Sequence, residues 1–177
     1  MIYVVVALKP EAQAFVDRFK LKKTSLKNYT LFYGDGMKLI VSGVGVTNSM
    51  LATQTLINEY DVEEDDVFLN VGICGSNKEI GELLEVGSVV YDGREYILHS
   101  YIDTKLECCN TPSTNSVFDG ADMESFGFYE AIRHSPAIKN FYIFKVVSDH
   151  FKPNSFSKDF VKNIIFLKID EMFLCIK

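Results

Sequence analysis

The residues of this sequence that are equipped for chemistry cluster where apolar runs end. Glu11 follows Ile2-Tyr3-Val4-Val5-Val6-Ala7-Leu8, and Ser42-Gly43-Val44-Gly45 follows Lys38-Leu39-Ile40-Val41. Asn70-Val71-Gly72-Ile73-Cys74-Gly75-Ser76 continues a third apolar run, and Ser148-Asp149 closes a fourth that begins at Phe141. Asp122-Met123-Glu124 opens a stretch with helical patterning. Carboxyl groups in such places can give and take protons. Glycine-rich backbone can turn its N–H groups toward an anion or a hydroxyl. Five such ends are enough to build one site.

Each of these residues also has a purely structural reading. Gly43 and Gly45 fit a tight strand-to-helix turn, and a full G-x-G-x-x-G pattern fails because position 48 is Asn. No phosphate-loop sequence of the G-x-x-x-x-G-K type is present. Gly72 and Gly75 read as turn residues or as the N–H cradle. Glu11 and Asp149 can cap helices, and Glu124 can be acidity favoured by a helix dipole. His99, His134 and His150 have no metal-ligand spacing; His150 lies beside Asp149 but equally suits a surface position. Cys74 lacks a visible partner base and reads as a small buried residue. No G-x-S-x-G turn for a nucleophilic serine occurs.

Elements that would hold these residues can be traced along the chain. Residues 2–8 form a β-branched run suited to a strand buried on both faces. Pro10 suits the first turn of a helix that carries Phe15 and Phe19 on one face. Residues 29–33 and 38–41 flank Gly34-Asp35-Gly36, a hairpin signal. A helix is predicted over 47–60, and Glu63-Glu64-Asp65-Asp66 reads as a solvated turn. A strand at 67–71 follows, then short strands at 86–91 and 95–101, a loop over 108–120, a helix over 123–133, a strand over 141–147 and a last helix over 156–176. Strands alternating with helices give the α/β class with a mostly parallel sheet. Ligands in such sheets bind beyond the carboxyl ends of the strands, where the candidate residues fall.

Composition bounds the function. The 177 residues suit one domain spanning 1–177, with 47% hydrophobic and 24% charged residues. The net charge of −6 and only three arginines, Arg18, Arg94 and Arg133, argue against a nucleic-acid partner. Cys74, Cys108, Cys109 and Cys175 form no C-x-x-C pair and fit the reduced thiols of a cytoplasmic protein. Lys9-Pro10-Glu11 cuts short the first apolar run, so it does not read as a secretory signal. The apolar C-terminal stretch carries Lys158, Asp159, Lys162, Lys168, Asp170 and Glu171 and reads as a packed helix, not a membrane anchor.

Taken in order, these segments resemble the purine nucleoside phosphorylase and nucleosidase superfamily, and most of all its methylthioadenosine/S-adenosylhomocysteine nucleosidase side. The resemblance rests on Ala7-Leu8-Lys9-Pro10-Glu11, on Val41-Ser42-Gly43-Val44-Gly45-Val46-Thr47-Asn48 (S-G-[IV]-G) and on Leu69-Asn70-Val71-Gly72-Ile73-Cys74-Gly75 (N-x-G-x-[AC]-G). Leu84-Glu85-Val86-Gly87-Ser88-Val89-Val90, Asp122-Met123-Glu124-Ser125 and the hallmark Val146-Val147-Ser148-Asp149 complete it, so that it covers most of residues 1–165. It implies a three-layer α/β/α fold with a central twisted mixed β-sheet. It also implies cleavage of the N-glycosidic bond of a purine nucleoside, with no cofactor and no metal.

By that resemblance Asp149, held by Ser148, is the general acid at the base. Glu124 accepts hydrogen bonds from ribose hydroxyls, Met123 packs on the sugar, and Glu11 activates water. Ser42, Gly75 and Phe118 complete the expected substrate contacts, Phe118 by stacking on the base as Phe151 also could. Hydrolysis is expected over phosphorolysis, because Asn70 stands where some phosphorylases carry Arg and no G-D-P-x-R loop follows the first strand. Phosphate as co-substrate and a non-catalytic nucleoside binder are the alternatives. The likeness also implies a homodimer or larger homo-oligomer. The sequence departs from the pattern at Ser76 and Ser88. It is shortened between Tyr91 and Asp122, where the family places base-contacting residues.

Overall fold

The computed structural model describes residues 1–34, 36–152 and 156–176. The first strand, β1 (Ile2–Val6), is central, with β4 (Met37–Val41) parallel on one side and β5 (Val67–Gly75) parallel on the other. Its alternation sends Tyr3 and Val5 into one core and Val4 and Val6 into a second. A strand buried on both faces needs apolar residues at every position, which explains the unbroken β-branched run.

Outward from β4 the sheet continues through β3 (Tyr29–Gly34) to the edge strand β2 (Lys22–Leu26), all antiparallel. Strand β2 was not apparent in the sequence. Its pattern, four exposed residues before the buried Leu26, belongs to an edge strand with lysines turned to solvent. The β3–β4 hairpin forms where Gly34 and Gly36 mark it; Asp35 lies outside the described residues. Beyond β1, β5 pairs in parallel with the long β11 (Asn140–Asp149), and its last residue, Gly75, pairs with Ala121 of β10 (Gly120–Asp122). Strand β11 also takes β6 (Leu83–Glu85) antiparallel. Strand β10 leads through β9 (Lys105–Cys108) to β7 (Ser88–Tyr91) and β8 (Arg94–Ile97).

Among the described residues, four helices cover the sheet. Helices α1 (Lys9–Phe19) and α4 (Lys158–Cys175) pack on one face through Phe15, Ile165, Ile169 and Met172. Helices α2 (Val46–Glu59) and α3 (Ser125–Arg133) pack on the other through Ala52, Leu56, Phe128 and Ile132. The result is a three-layer α/β/α arrangement around a mixed sheet. No helix among the described residues is long and apolar enough to cross a membrane.

The loop expected over 108–120 lies between the short β9 and β10, each of which takes one of its end residues. Two expectations need correction. Gly72 and Gly75 are strand residues, not turn residues, because β11 stays in register along β5 as far as Gly75. The acidic run is not wholly solvated, since Asp66 is buried and accepts the Glu63 N–H at 2.9 Å.

The contact between α2 and α3 is unusually close. A Cβ added at Gly127 would lie 1.9 Å from the Val46 carbonyl oxygen. The two helices therefore meet backbone to backbone, and this contact sets the position of the α3 N-terminus. Gly127→Ala is expected to push α3 away and cost about 1–3 kcal/mol, as overpacked core sites do. Urea unfolding of the purified variant measures the loss, and a wild-type midpoint would contradict the contact.

Candidate active site

The carboxyl ends of β1, β5, β10 and β11 open on one cavity of about 170 Å³. Glu11, Gly75, Met123, Glu124, Ser148 and Asp149, all singled out in the sequence, line it. Ala7, Leu8, Val44, Phe151 and Phe156 supply apolar wall.

Glu11 combines its two readings. It sits in the first turn of α1, and its Oε2 accepts the N–H groups of Leu8 at 2.7 Å and Ala7 at 3.0 Å. That is a helix-capping role. Its Oε1 accepts the Ile73 N–H at 3.1 Å, tying α1 to β5. The carboxylate is nonetheless only 1% exposed. Burial, seconded by the nearby Glu124 charge, outweighs these hydrogen bonds and pushes its pKa up to about 7.

Glu124 lies just before α3 and is also buried. Its Oε1 accepts the N–H of Gly45, at the start of α2, at 3.0 Å. Gly45 has φ 110°, a conformation that favours glycine. The G-x-G segment thus turns the α2 N-terminus onto Glu124. Burial raises the Glu124 pKa, with Lys145 opposing.

Lys145 is the residue the sequence reading missed. It is 1% exposed in the middle of β11, and its Nζ lies 2.7 Å from Asp122 Oδ2. Asp122 in turn accepts the N–H groups of Glu124 and Ser125 and the Ser125 hydroxyl. Burial alone would lower the Lys145 pKa, but Asp122, Glu124 and Glu11 around it push it well above its usual range. Room for this cluster comes from Gly72, whose added Cβ would meet Glu11 Oε1 at 3.1 Å and Lys145 Nζ at 3.3 Å. The available signal was a single charged residue inside the apolar run Phe141–Val147.

Asp149 is held at both oxygens. Ser148 Oγ donates to Oδ2 at 2.8 Å, and the Lys152 N–H donates to Oδ1 at 2.8 Å. Gly75 leaves space beside it, since an added Cβ would come within 3.4 Å of Asp149 Oδ1 and 3.1 Å of the Phe151 ring. Phe151 itself has φ 54° and lines the cavity.

Other expected contacts lie elsewhere. Ser42 does not line the cavity; its hydroxyl donates to the carbonyls of Val6 and Gly43 and fixes the end of β4. Phe118 does not line it either, its half-buried ring lying near the Lys105 ammonium. From the shortened segment Pro112, Ser113 and Ala121 reach the wall. Asn70 is not at a strand end but within β5, donating to the Val5 carbonyl. Arg94 is exposed on β8, away from the cavity. His150 is exposed, and its Nδ1 lies 2.8 Å from the Ser76 carbonyl oxygen, a contact that needs the proton on Nδ1. Cys74 lines the cavity, but burial pushes its thiol well up and keeps it protonated. No group of three or more His, Cys, Asp or Glu residues among those described is placed to hold a metal ion.

No protein-family model and no curated protein sequence matches this chain. Solved structures do. A 5′-methylthioadenosine/S-adenosylhomocysteine nucleosidase of Helicobacter pylori superposes with a TM-score of 0.81 at 13% identity, covering 98% of this chain and 96% of that one. The corresponding nucleosidase of Colwellia psychrerythraea 34H, solved with adenine, gives 0.74 at 17% identity over 93% of each chain. The futalosine hydrolase of H. pylori gives 0.78 at 15% identity over 96% and 97%. The chain has the nucleosidase fold. Within the nucleosidase fold of this chain, β1, β5 and β11 bring together residues as distant in sequence as Glu11 and Asp149.

The raised pKa of Glu11 predicts a pH signature in stability. A folded pKa near 7 against an ordinary 4.5 means that the native state holds the proton more tightly than the unfolded chain. Stability contributed by that proton is present below about pH 4.5 and is lost as pH rises through about 7. Relative to Glu11→Gln, the wild type should therefore lose about 3 kcal/mol across that window and no more above it. Urea unfolding of both proteins from pH 4.5 to 8 measures the gap, and parallel curves would refute the assignment.

Proposed function

We propose that residues 1–177 act as one nucleosidase-like domain that hydrolyses the N-glycosidic bond of a purine nucleoside, giving free base and a ribose derivative. One observation carries the reading: Glu11, Glu124 and Asp149 open on a single cavity. A nucleosidic bond breaks through an oxocarbenium-like sugar, so the site must protonate the leaving base, hold the sugar and deliver water. Asp149, oriented by Ser148 and the Lys152 N–H, is the acid that protonates the base. Glu124, with Oε1 fixed by Gly45, offers Oε2 to the ribose hydroxyls, and Met123 packs against the sugar. Glu11, with a pKa near 7, is poised to take a proton from water near neutral pH.

The purine assignment is supported by the adenine held in the Colwellia nucleosidase. Hydrolysis is favoured over phosphorolysis because no arginine stands among the residues lining the cavity. A binder without turnover would have no use for a raised-pKa carboxylate facing a second carboxyl across one cavity. The proposed setting is the cytoplasm, and the proposed assembly is a homodimer, supported by large apolar side chains such as Leu51, Leu167 and Leu174 left exposed on α2 and α4.

A panel of purine nucleosides assayed for free base and reducing sugar, with and without phosphate, tests the reading. Turnover should be independent of phosphate; strong acceleration by phosphate would move the assignment to a phosphorylase, and binding without products would make it a binder. Asp149→Asn should lower kcat by about 10²–10⁴-fold. Glu124→Gln should raise KM and lower kcat. Glu11→Gln should abolish hydrolysis while leaving nucleoside affinity, measured by calorimetry, near the wild-type value.

A further inference from the structure

Glu124 stands at the position from which a side chain ordinarily caps a helix, yet it caps nothing in α3. Its carboxylate turns instead to the Gly45 N–H at the start of α2, 3.0 Å away, and lines the cavity. Other residues meet the first N–H groups of α3. Asp122 Oδ2 accepts those of Glu124 at 3.2 Å and Ser125 at 2.9 Å, and Cys108 Sγ accepts that of Phe126 at 3.4 Å.

Asp122 is thus a cap displaced by two residues toward the strand. Its Oδ1 accepts the Ser125 hydroxyl at 2.6 Å, and Lys145 Nζ lies 2.7 Å from its Oδ2. Neither the Asp122 nor the Lys145 side chain exposes more than 1% of its surface. A cap buried this deeply needs a cation beside it, and β11 supplies one in Lys145. Asp122 borders the cavity too, but donors from the protein surround both its oxygens.

We infer that Asp122, held by Lys145, is a positioning residue for sugar recognition: by taking over the cap of α3 it frees the Glu124 carboxylate and fixes its place for the ribose hydroxyls. The inference rests on the sugar contact proposed for Glu124 and names the residues that make it possible. A carboxylate that capped its own helix would turn away from the cavity. One carried on an unsecured helix end would lose the fixed direction that a hydrogen bond needs.

Three probes separate sugar from base: adenine, adenosine and 2′,3′-dideoxyadenosine, which lacks both ring hydroxyls. Their affinities are measured by calorimetry on the full chain carrying Asp149→Asn, whose slow turnover leaves the nucleosides intact. This parent should bind adenosine about tenfold or more tighter than the dideoxy analogue, because hydrogen bonds to a charged acceptor go with the hydroxyls. Adding D122N and K145M together removes both charges and leaves no buried ion unpaired. That protein should keep its circular dichroism spectrum and, within about twofold, its adenine affinity, while the preference for adenosine falls below about threefold. S125A, which withdraws one hydroxyl from Asp122, should lower the preference part of the way. A parent that binds none of the probes, or both nucleosides equally, would remove the sugar contact of Glu124 and this inference together. A preference that is present in the parent and survives D122N/K145M would overturn this inference alone. Parallel loss of adenine and adenosine would make the pair a support of the whole cavity and overturn it likewise. If the double change does not fold, S125A decides, and an unaltered preference there overturns the inference.

Discussion

The cavity depends on one buried charge. Lys145 stands in the sheet with Asp122 at 2.7 Å and Glu11 and Glu124 close enough to feel its field. Three carboxylates brought this close in a water-poor site would repel one another and would be costly to ionise. One ammonium among them offsets that cost, and removing one partner of such a buried pair typically costs about 3–5 kcal/mol. Asp122, the partner in contact, holds the start of α3 through Ser125 and Glu124. Glu11 is left with its proton affinity raised. Burial raises the proton affinity of Glu124 as well, with Lys145 opposing it at both carboxylates.

This arrangement explains details of the backbone that composition alone does not. Strand β5 carries glycine at 72 and 75 without turning there, because two side-chain groups occupy the space that Cβ atoms would fill. At Gly72 these are Glu11 and Lys145; at Gly75 they are Asp149 and Phe151. The sheet is therefore perforated where the chemistry is proposed. The close α2–α3 contact at Gly127 has a matching purpose, since Gly45 must reach Glu124 from the neighbouring helix.

The central elements were legible in the sequence because burial on both faces leaves unbroken apolar runs, as in β1 and the first part of β5. The helices were legible through periodicity, as with Phe15 and Phe19, whose rings stack with centroids 6.3 Å apart in α1. What escaped had physical reasons. The Lys-rich β2 is an edge strand that buries only Leu26, and β10, three residues long, carries no period of its own. Glu11, Gly75, Met123, Glu124, Ser148 and Asp149 stand at ends of runs, where a reader of sequence looks for sites, and they meet in the cavity. Ser42 shares that kind of position but spends its hydroxyl on the backbone of its own turn. Lys145 escaped because it interrupts an apolar run instead of ending one, and a charge there makes sense only once its partners in three dimensions are known.

The hydrogen bonds of Glu11 carry a stereochemical consequence. Its Oε2 already receives two N–H groups and its Oε1 one, so the backbone occupies three of the four in-plane lone pairs of the carboxylate. The backbone leaves the fourth, on Oε1, to other partners, and that oxygen lies beside Gly72 and Lys145. In the proposed hydrolysis the peptide N–H groups of residues 7, 8 and 73 set the line along which Glu11 meets a water molecule. That line is written into the main chain, and of the side-chain exchanges at those positions proline is the one that erases a donor.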